Sequence, residues 1–153
     1  MPSLTAHVEQ RLRTDWWVWL ITVRPDGRPH AVLLGFFWDG QTFLLFSQPN
    51  TQKLRNLRHN PHVTLALDGT GKMGLGVVVV EGTAELLTET SLSIMGANPA
   101  IEEKYKAWMP LAHEAGLVTK DRDWQAMFAD YSQPIRVTPT RFLIGAEMQS
   151  ISM

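Results

Sequence analysis

The spacing of apolar residues changes period along the chain, and each change marks an element. Leu4, Val8 and Leu12 recur at i, i+4 and i+8, which predicts a helix over Ser3–Thr14 capped by Ser3 or Thr5. Trp16–Val23 then carries aromatic and β-branched residues at strand density. Pro25-Asp26-Gly27 follows, where Pro fixes φ and Gly accepts a positive φ, so the chain turns. His30–Trp38 is the returning strand, Asp39-Gly40 a second hairpin turn and Thr42–Ser47 the third strand. Pro49 ends that strand. Thr51–Asn60 is predicted as a short helix with Asn50 or Thr51 as its cap, Leu54 and Leu57 on its buried side and Pro61 as its stop.

The second half reads as two more strands, His62–Leu67 and Leu75–Leu87, around a Gly-rich turn at Asp68–Gly74. Glu89–Met95, Ala100–His113 and Trp124–Tyr131 have helical spacing, and Ile135–Ile144 is a closing strand. A meander of strands with one inserted helix and a helical excursion before the last strand implies a mainly β, α+β fold: an antiparallel barrel with helices outside it. The length, 153 residues, fits a single domain over residues 1–153.

Composition narrows the chemistry. The chain has no cysteine, which removes disulfides, thiolate metal sites and a cysteine nucleophile, and agrees with a cytoplasmic location. A net charge of −1 gives no global signal for nucleic acid or a membrane surface. Met1–Thr5 has neither a basic flank nor an apolar core, so no signal peptide is expected. The longest apolar runs, Ala31–Trp38 and Gly74–Val80, are strand-sized.

Gly69-Thr70-Gly71-Lys72-Met73-Gly74 matches the dinucleotide pattern G-x-G-x-x-G but runs into Val77–Val80, a strand, where the pattern requires a helix. It reads as a hairpin turn. His59 and His62 are separated by Pro61 and joined by no further ligand, so no metal site is expected. Lys53, Arg55, Arg58 and His59 form a basic cluster. It is either a solvated helix face or a phosphate cradle. The second reading rests on position, because the cluster opens on Ser47-Gln48-Pro49-Asn50-Thr51, a strand end leading into a helix N-terminus that favours an anion. Ser47 and Thr51 add hydroxyls there and Lys53 a full charge. Trp16, Trp17 and Trp19 are read as alternating faces of the first strand, with at least one in the core and one at an interface or pocket rim. Trp38 is a core residue at a strand end near the cradle.

With these pieces in order, the sequence resembles the pyridoxamine-phosphate-oxidase-like split barrels, and more closely their F420-dependent branch, the flavin/deazaflavin oxidoreductases of group B. The resemblance runs from about Leu12 to about Gly145. It is carried by Leu20–Pro29, Phe37-Trp38-Asp39-Gly40, Ser47–Leu57, Asn60-Pro61-His62-Val63, Glu81-Gly82-Thr83-Ala84, Lys104-Tyr105 and Tyr131–Arg141. It implies a split β-barrel, a homodimer with its cofactor at the subunit interface, and hydride transfer from reduced F420 to a small, planar, electron-poor substrate. FMN is the alternative cofactor, and a non-catalytic cofactor-binding protein the alternative role. By the family pattern the backbone at Val32, Leu33 and Leu34 borders the ring system, and Ser47, Thr51 and Lys53 meet the phosphate. Gln48, Arg55 and Asn56 serve the cofactor's tail or the loop that holds it.

Three positions depart from pyridoxamine-phosphate oxidases proper, which carry Arg at the start of the second strand, a Ser-Arg-Lys motif and a C-terminal Glu-Phe-Trp. Here those places read His30-Ala31, Thr51-Gln52-Lys53 and Phe142-Leu143-Ile144. The departures argue against vitamin B6 chemistry and weaken the case for FMN. Leu75 and Gly76 also stand where close relatives carry an acidic residue before the fifth strand. No catalytic acid is evident, with Tyr131 and His30 the side chains to consider as proton sources.

Overall fold

Hairpin turns set the topology. In a computed structural model of the chain, which describes residues 4–67, 76–145 and 149–152, β1 (Trp17–Val23) turns through Gly27, at φ 89°, into β2 (Pro29–Trp38). The Gly27 N–H donates to the Arg24 carbonyl at 2.8 Å, closing the turn the sequence predicts. Asp39 makes the next one by accepting from the Gln41 and Thr42 backbone N–H groups at 2.8 and 2.6 Å, a side-chain mimic of a backbone turn. The chain continues through β3 (Phe43–Ser47), β4 (His62–Leu67), β5 (Val78–Leu86), β6 (Gln133–Ile144) and β7 (Gln149–Ser152).

The strand order is β3-β2-β1-β4-β5-β6-β7, and β3 pairs back onto β6 from Phe43↔Val137 to Ser47↔Gln133. All pairings are antiparallel, so six strands close into a barrel and β7 adds to the far end of β6. Closure removes the sheet edges that would otherwise invite association. The helices are α1 (Ala6–Thr14), α2 (Gln52–His59), α3 (Ser91–Ala97), α4 (Pro99–Glu114) and α5 (Trp124–Asp130).

Two apolar clusters hold this frame. The barrel interior is filled by inward-facing residues such as Val18, Leu20, Phe36, Phe43, Leu65, Val80 and Phe142, with Val8 and Leu12 of α1 and Leu54 and Leu57 of α2 closing it. The second cluster lies between the barrel wall and α3–α5, where Leu44 and Phe46 meet Ile101, Tyr105, Trp108 and Phe128. Every residue of β3 is therefore buried, one face serving each cluster. Arg11, itself buried, ties α1 to the barrel: it pairs with Asp15 at 2.7 Å and donates to the Gly76 carbonyl at 2.6 Å.

Several expectations shift. The first helix begins at Ala6, and Thr5 caps it by accepting from the Val8 N–H; Ser3 lies outside the described residues. The fifth strand begins at Val78 rather than Leu75, after a turn at Gly76. Residues 68–75, including Leu75 and the Gly69–Gly74 match, are outside the description. A seventh strand follows the predicted closing one. None of Trp16, Trp17 and Trp19 enters the barrel core: Trp17 and Trp19 share the outward face, because they are two apart, and Trp16 is half-buried against the helical layer. Trp38 is core, but it lies at the opposite end of β2 from His30, where it packs on Phe43 and donates to Glu9 at 3.1 Å.

Gly82 sits at the register shift between β5 and β6, where a Cβ would stand 2.6 Å from the Thr138 carbonyl oxygen and 2.9 Å from Val137 Cγ1. Backbone cannot yield that space cheaply. Gly82→Ala is expected to lower stability by roughly 1–3 kcal/mol in urea unfolding, whereas Gly96→Ala, with open space around it, leaves stability level or higher.

Candidate functional site

The β3–α2 connection determines the site. Ser47 ends β3, Gln48 and Pro49 follow, and Asn50 adopts φ 61°, a left-handed conformation that Asn tolerates better than most residues. This reversal delivers Thr51 as the residue before α2. Thr51 forms no side-chain cap. By contrast Thr5, Thr90 and Asp123 each accept a first-turn N–H at the head of α1, α3 and α5. The first-turn N–H groups of α2 have no acceptor within the helix, and the N-terminal dipole end is left open for an anion.

Lys53 points inward beneath that opening. It is 9% exposed, and its Nζ contacts Thr51 Oγ1 at 3.3 Å. Among the described residues no carboxylate pairs with it, and burial lowers its pKa. A buried ammonium lacking a counter-charge is costly unless an anion joins it. Asn56, one turn on, is fully buried and donates from Nδ2 to Thr22 Oγ1 at 2.9 Å, while its Oδ1 accepts from Gln52 Nε2 at 2.7 Å. Asn56 thus locks α2 onto β1. Arg55 is exposed and donates to the Asn50 carbonyl at 3.2 Å and to Gln52 Oε1 at 3.0 Å, which braces the reversal. The basic cluster therefore divides: Lys53 faces in, and Arg55, Arg58 and His59 face solvent. Ser47 is buried, its hydroxyl donating to the Gln48 carbonyl at 2.7 Å.

Beyond Gln48 opens a cavity of about 410 Å³ between the outer face of the barrel and the helical excursion. Leu33, Leu34 and Gly35 of β2 form its floor beside Trp17. Phe46, Tyr105, Trp108, Phe128 and Tyr131 form the walls, and Gln48, Thr119, Arg122 and Asp130 are the polar groups. Trp17 and Trp108 meet edge-on at 5.4 Å. Such a space suits a flat, largely apolar ring. Arg122 is already paired with Asp130, so its charge is locally balanced. Of the residues singled out in the sequence, Trp17, Leu33, Leu34, Gln48 and Tyr131 line this cavity, whereas Val32 turns toward the barrel core. Apart from Tyr131, the sequence reading missed the cavity's aromatic walls. Their only local signal is the density of Trp, Tyr and Phe within helices that have no partner in the linear order.

The excursion is held over β2 by two donors on one carbonyl. Lys104 Nζ lies 2.9 Å and the Tyr105 hydroxyl 3.1 Å from the Phe36 oxygen, and Lys104 also donates to the Asp15 carbonyl at 2.8 Å. Burial pushes the Tyr105 phenol well above its usual range, so it stays protonated. Burial pulls Lys104 down to about 8, opposed by Asp15. A neutral amine still has two N–H groups for its two carbonyls. Among the described residues no group of three or more His, Asp or Glu side chains is placed to hold a metal, and no helix is long and apolar enough to cross a membrane.

Residues 4–133 match the family model described as pyridoxamine 5'-phosphate oxidase. The chain belongs to that family. Among solved structures, an F420 reductase is 25% identical, with a TM-score of 0.61 over 93% of this chain and 98% of that one. A conserved hypothetical protein from Mycobacterium tuberculosis is 22% identical with a TM-score of 0.65, covering 99% of this chain and 86% of that one. An FAD-binding protein from Mesorhizobium loti is 19% identical with a TM-score of 0.56, over 91% and 92%. No curated protein matches. The closed antiparallel barrel with outer helices is thus the split barrel of the pyridoxamine 5'-phosphate oxidase family, a setting for oxidoreductase chemistry with flavin-type cofactors.

Because the unfolded chain keeps the Lys104 proton up to the ordinary value of 10.5 while the native state releases it near 8, stability rises with pH between these values. The slope is at most about 1.4 kcal/mol per pH unit for one proton. Urea unfolding of wild type and Lys104→Met between about pH 7 and about pH 9.5 is expected to show this component in wild type only.

Proposed function

We propose that the protein is an F420-dependent oxidoreductase that passes a hydride from reduced deazaflavin to a small, planar, electron-poor substrate. The observation that carries this reading is the buried Lys53 ammonium, which has no carboxylate partner among the described residues and lies under the uncapped N-terminus of α2. A phosphate there receives the Lys53 charge, the first-turn N–H groups and the Thr51 hydroxyl. The likeness to an F420 reductase supports the deazaflavin over FMN, as does His30 standing where pyridoxamine-phosphate oxidases carry Arg.

When bound, the deazaflavin supplies the hydride chemistry, and the chain supplies position and shelter. Lys53, Thr51 and the α2 N-terminus hold the phosphate; Ser47 and Asn50 shape the bend that presents them, with Arg55 bracing it. Asn56 fixes the helix to the barrel. The backbone at Val32, Leu33 and Leu34 borders the ring. The aromatic walls at Trp108, Phe128 and Tyr131 exclude water from the face where the acceptor lies. Tyr105, locked on the Phe36 carbonyl, holds the walls rather than giving up its proton.

The same reading includes a homodimer that places the cofactor between subunits. Support comes from an apolar band on the barrel's outside. Leu33, Trp19, Ala66, Val79 and Leu143 stand side by side on β2, β1, β4, β5 and β6. Leu33 is 43% and Trp19 40% exposed, unusual for side chains of this size unless a surface covers them.

Three outcomes test the reading. Equilibrium titration is expected to give micromolar or tighter binding of F420 and much weaker binding of FMN; tight FMN binding without F420 binding sinks it in favour of a flavin enzyme. Lys53→Met is expected to weaken F420 binding by tenfold or more, of the order of a lost charge-assisted contact, while the urea midpoint stays level or rises because an unpaired buried charge has gone. Leu33→Glu is expected to convert a dimer to a monomer in sedimentation velocity.

A further inference from the structure

The register of β1 and β2 places His30 directly opposite Thr22, and directly opposed residues of an antiparallel pair project from the same face. That face is covered by α2. Thr22 is fully buried there and accepts from Asn56, and Lys53 stands one helical turn before Asn56, buried on the same side. His30 is thus directed to the polar layer under α2. Its Nδ1 is buried and makes no hydrogen bond. A ring nitrogen in that state costs stability, and the surroundings offer it nothing to bond with among the described residues. Two cations act on the ring: Arg24, from the end of β1, and Lys53, from α2. Burial first, and then the two charges, lower the ring's pKa, and no carboxylate among the described residues opposes them.

We infer that His30 is the second arm of the Lys53 anion site, and that it takes up one proton from solvent when a phosphate or sulfate group binds there. The inference rests on the anion site of the proposed function and adds to it a titrating ligand. An oxyanion beside Lys53 reverses the sign of the local field. The proton then gained on Nδ1 turns the orphan nitrogen into a charge-assisted donor toward the anion, with Lys53 on the other side. Binding is therefore linked to protonation. Affinity rises as pH falls between the pKa of the free ring and that of the liganded ring, by at most about tenfold per pH unit for one proton. Above that window only Lys53 and the helix N-terminus hold the anion.

The His30 ring can be followed by NMR on the full chain from about pH 5.5 to about pH 8, the range where histidine titrates, with His30→Gln used to assign its signal. Sulfate is the first probe because its own charge is constant over this range, and F420 the second. In the free protein the ring is expected to titrate below the ordinary histidine value. Saturating sulfate is expected to raise its midpoint by about half a pH unit or more, and the sulfate dissociation constant to fall several-fold from about pH 8 to about pH 6 in wild type but not in His30→Gln. The same rise with F420 identifies the cofactor's phosphate as the occupant. A rise with sulfate alone keeps the titrating site and removes the cofactor phosphate from it, which counts against the proposed function only. A His30 titration that neither ligand moves overturns the inference, even where Lys53→Gln abolishes F420 binding.

Discussion

A lysine ammonium buried with no counter-charge among the described residues is the constraint around which one end of this barrel is organised. Folding removes Lys53 from water, and among the described residues only a hydroxyl contact returns to it. The surroundings make that cost sustainable. Leu54 and Leu57 anchor α2 in the barrel core, and Asn56 ties it to β1 through Thr22. The left-handed turn at Asn50, braced by Arg55, aims the helix N-terminus at the same point as the ammonium. Two independent sources of positive potential converge where the described residues supply no anion. Active sites commonly carry such locally unfavourable arrangements, which the ligand resolves.

The opposite wall depends on a smaller device. Lys104 and Tyr105, adjacent on α4, converge on the carbonyl of Phe36, and the Phe36 side chain lies inside the barrel. One peptide group thus connects the interior packing, the helical excursion and the cavity floor at Leu33–Gly35. Gly35 has no side chain for a reason: a Cβ there would stand 2.9 Å from the Tyr105 hydroxyl. The cavity between this wall and β2 is large enough for a ring system and is lined mainly by aromatic surface.

Much of the frame was legible in the sequence because it is written in local chemistry. Pro25-Asp26-Gly27 and Asp39-Gly40 specify tight turns whatever surrounds them, and the Leu4, Val8 and Leu12 spacing specifies α1. Lys53 stands four residues before the buried Leu57, but Arg58 stands four after the buried Leu54 and is exposed, so spacing did not separate the inward cation from the outward ones. Charge alone grouped all three. Of the tryptophans expected to alternate faces, Trp17 does line the cavity, but Trp17 and Trp19, two apart, both face outward with Val18 and Leu20 within, and none enters the barrel core. The cavity was legible only in single residues, not as an enclosed space. Its lining comes from Trp17, from Leu33–Gly35, from Phe46 and from helices after Pro99, and only tertiary packing brings these together.

The central claim is that Lys53 and the open α2 N-terminus hold a cofactor's phosphate. The most direct test compares binding of F420 with binding of the same deazaflavin lacking its phosphate-bearing tail, in wild type and in Lys53→Met. The account predicts that wild type prefers F420 by tenfold or more, about 1.4 kcal/mol, and that the substitution removes most of this preference while leaving the tail-less ring's affinity nearly unchanged. Equal affinity of wild type for the two compounds, or a preference that survives loss of the Lys53 charge, would contradict it.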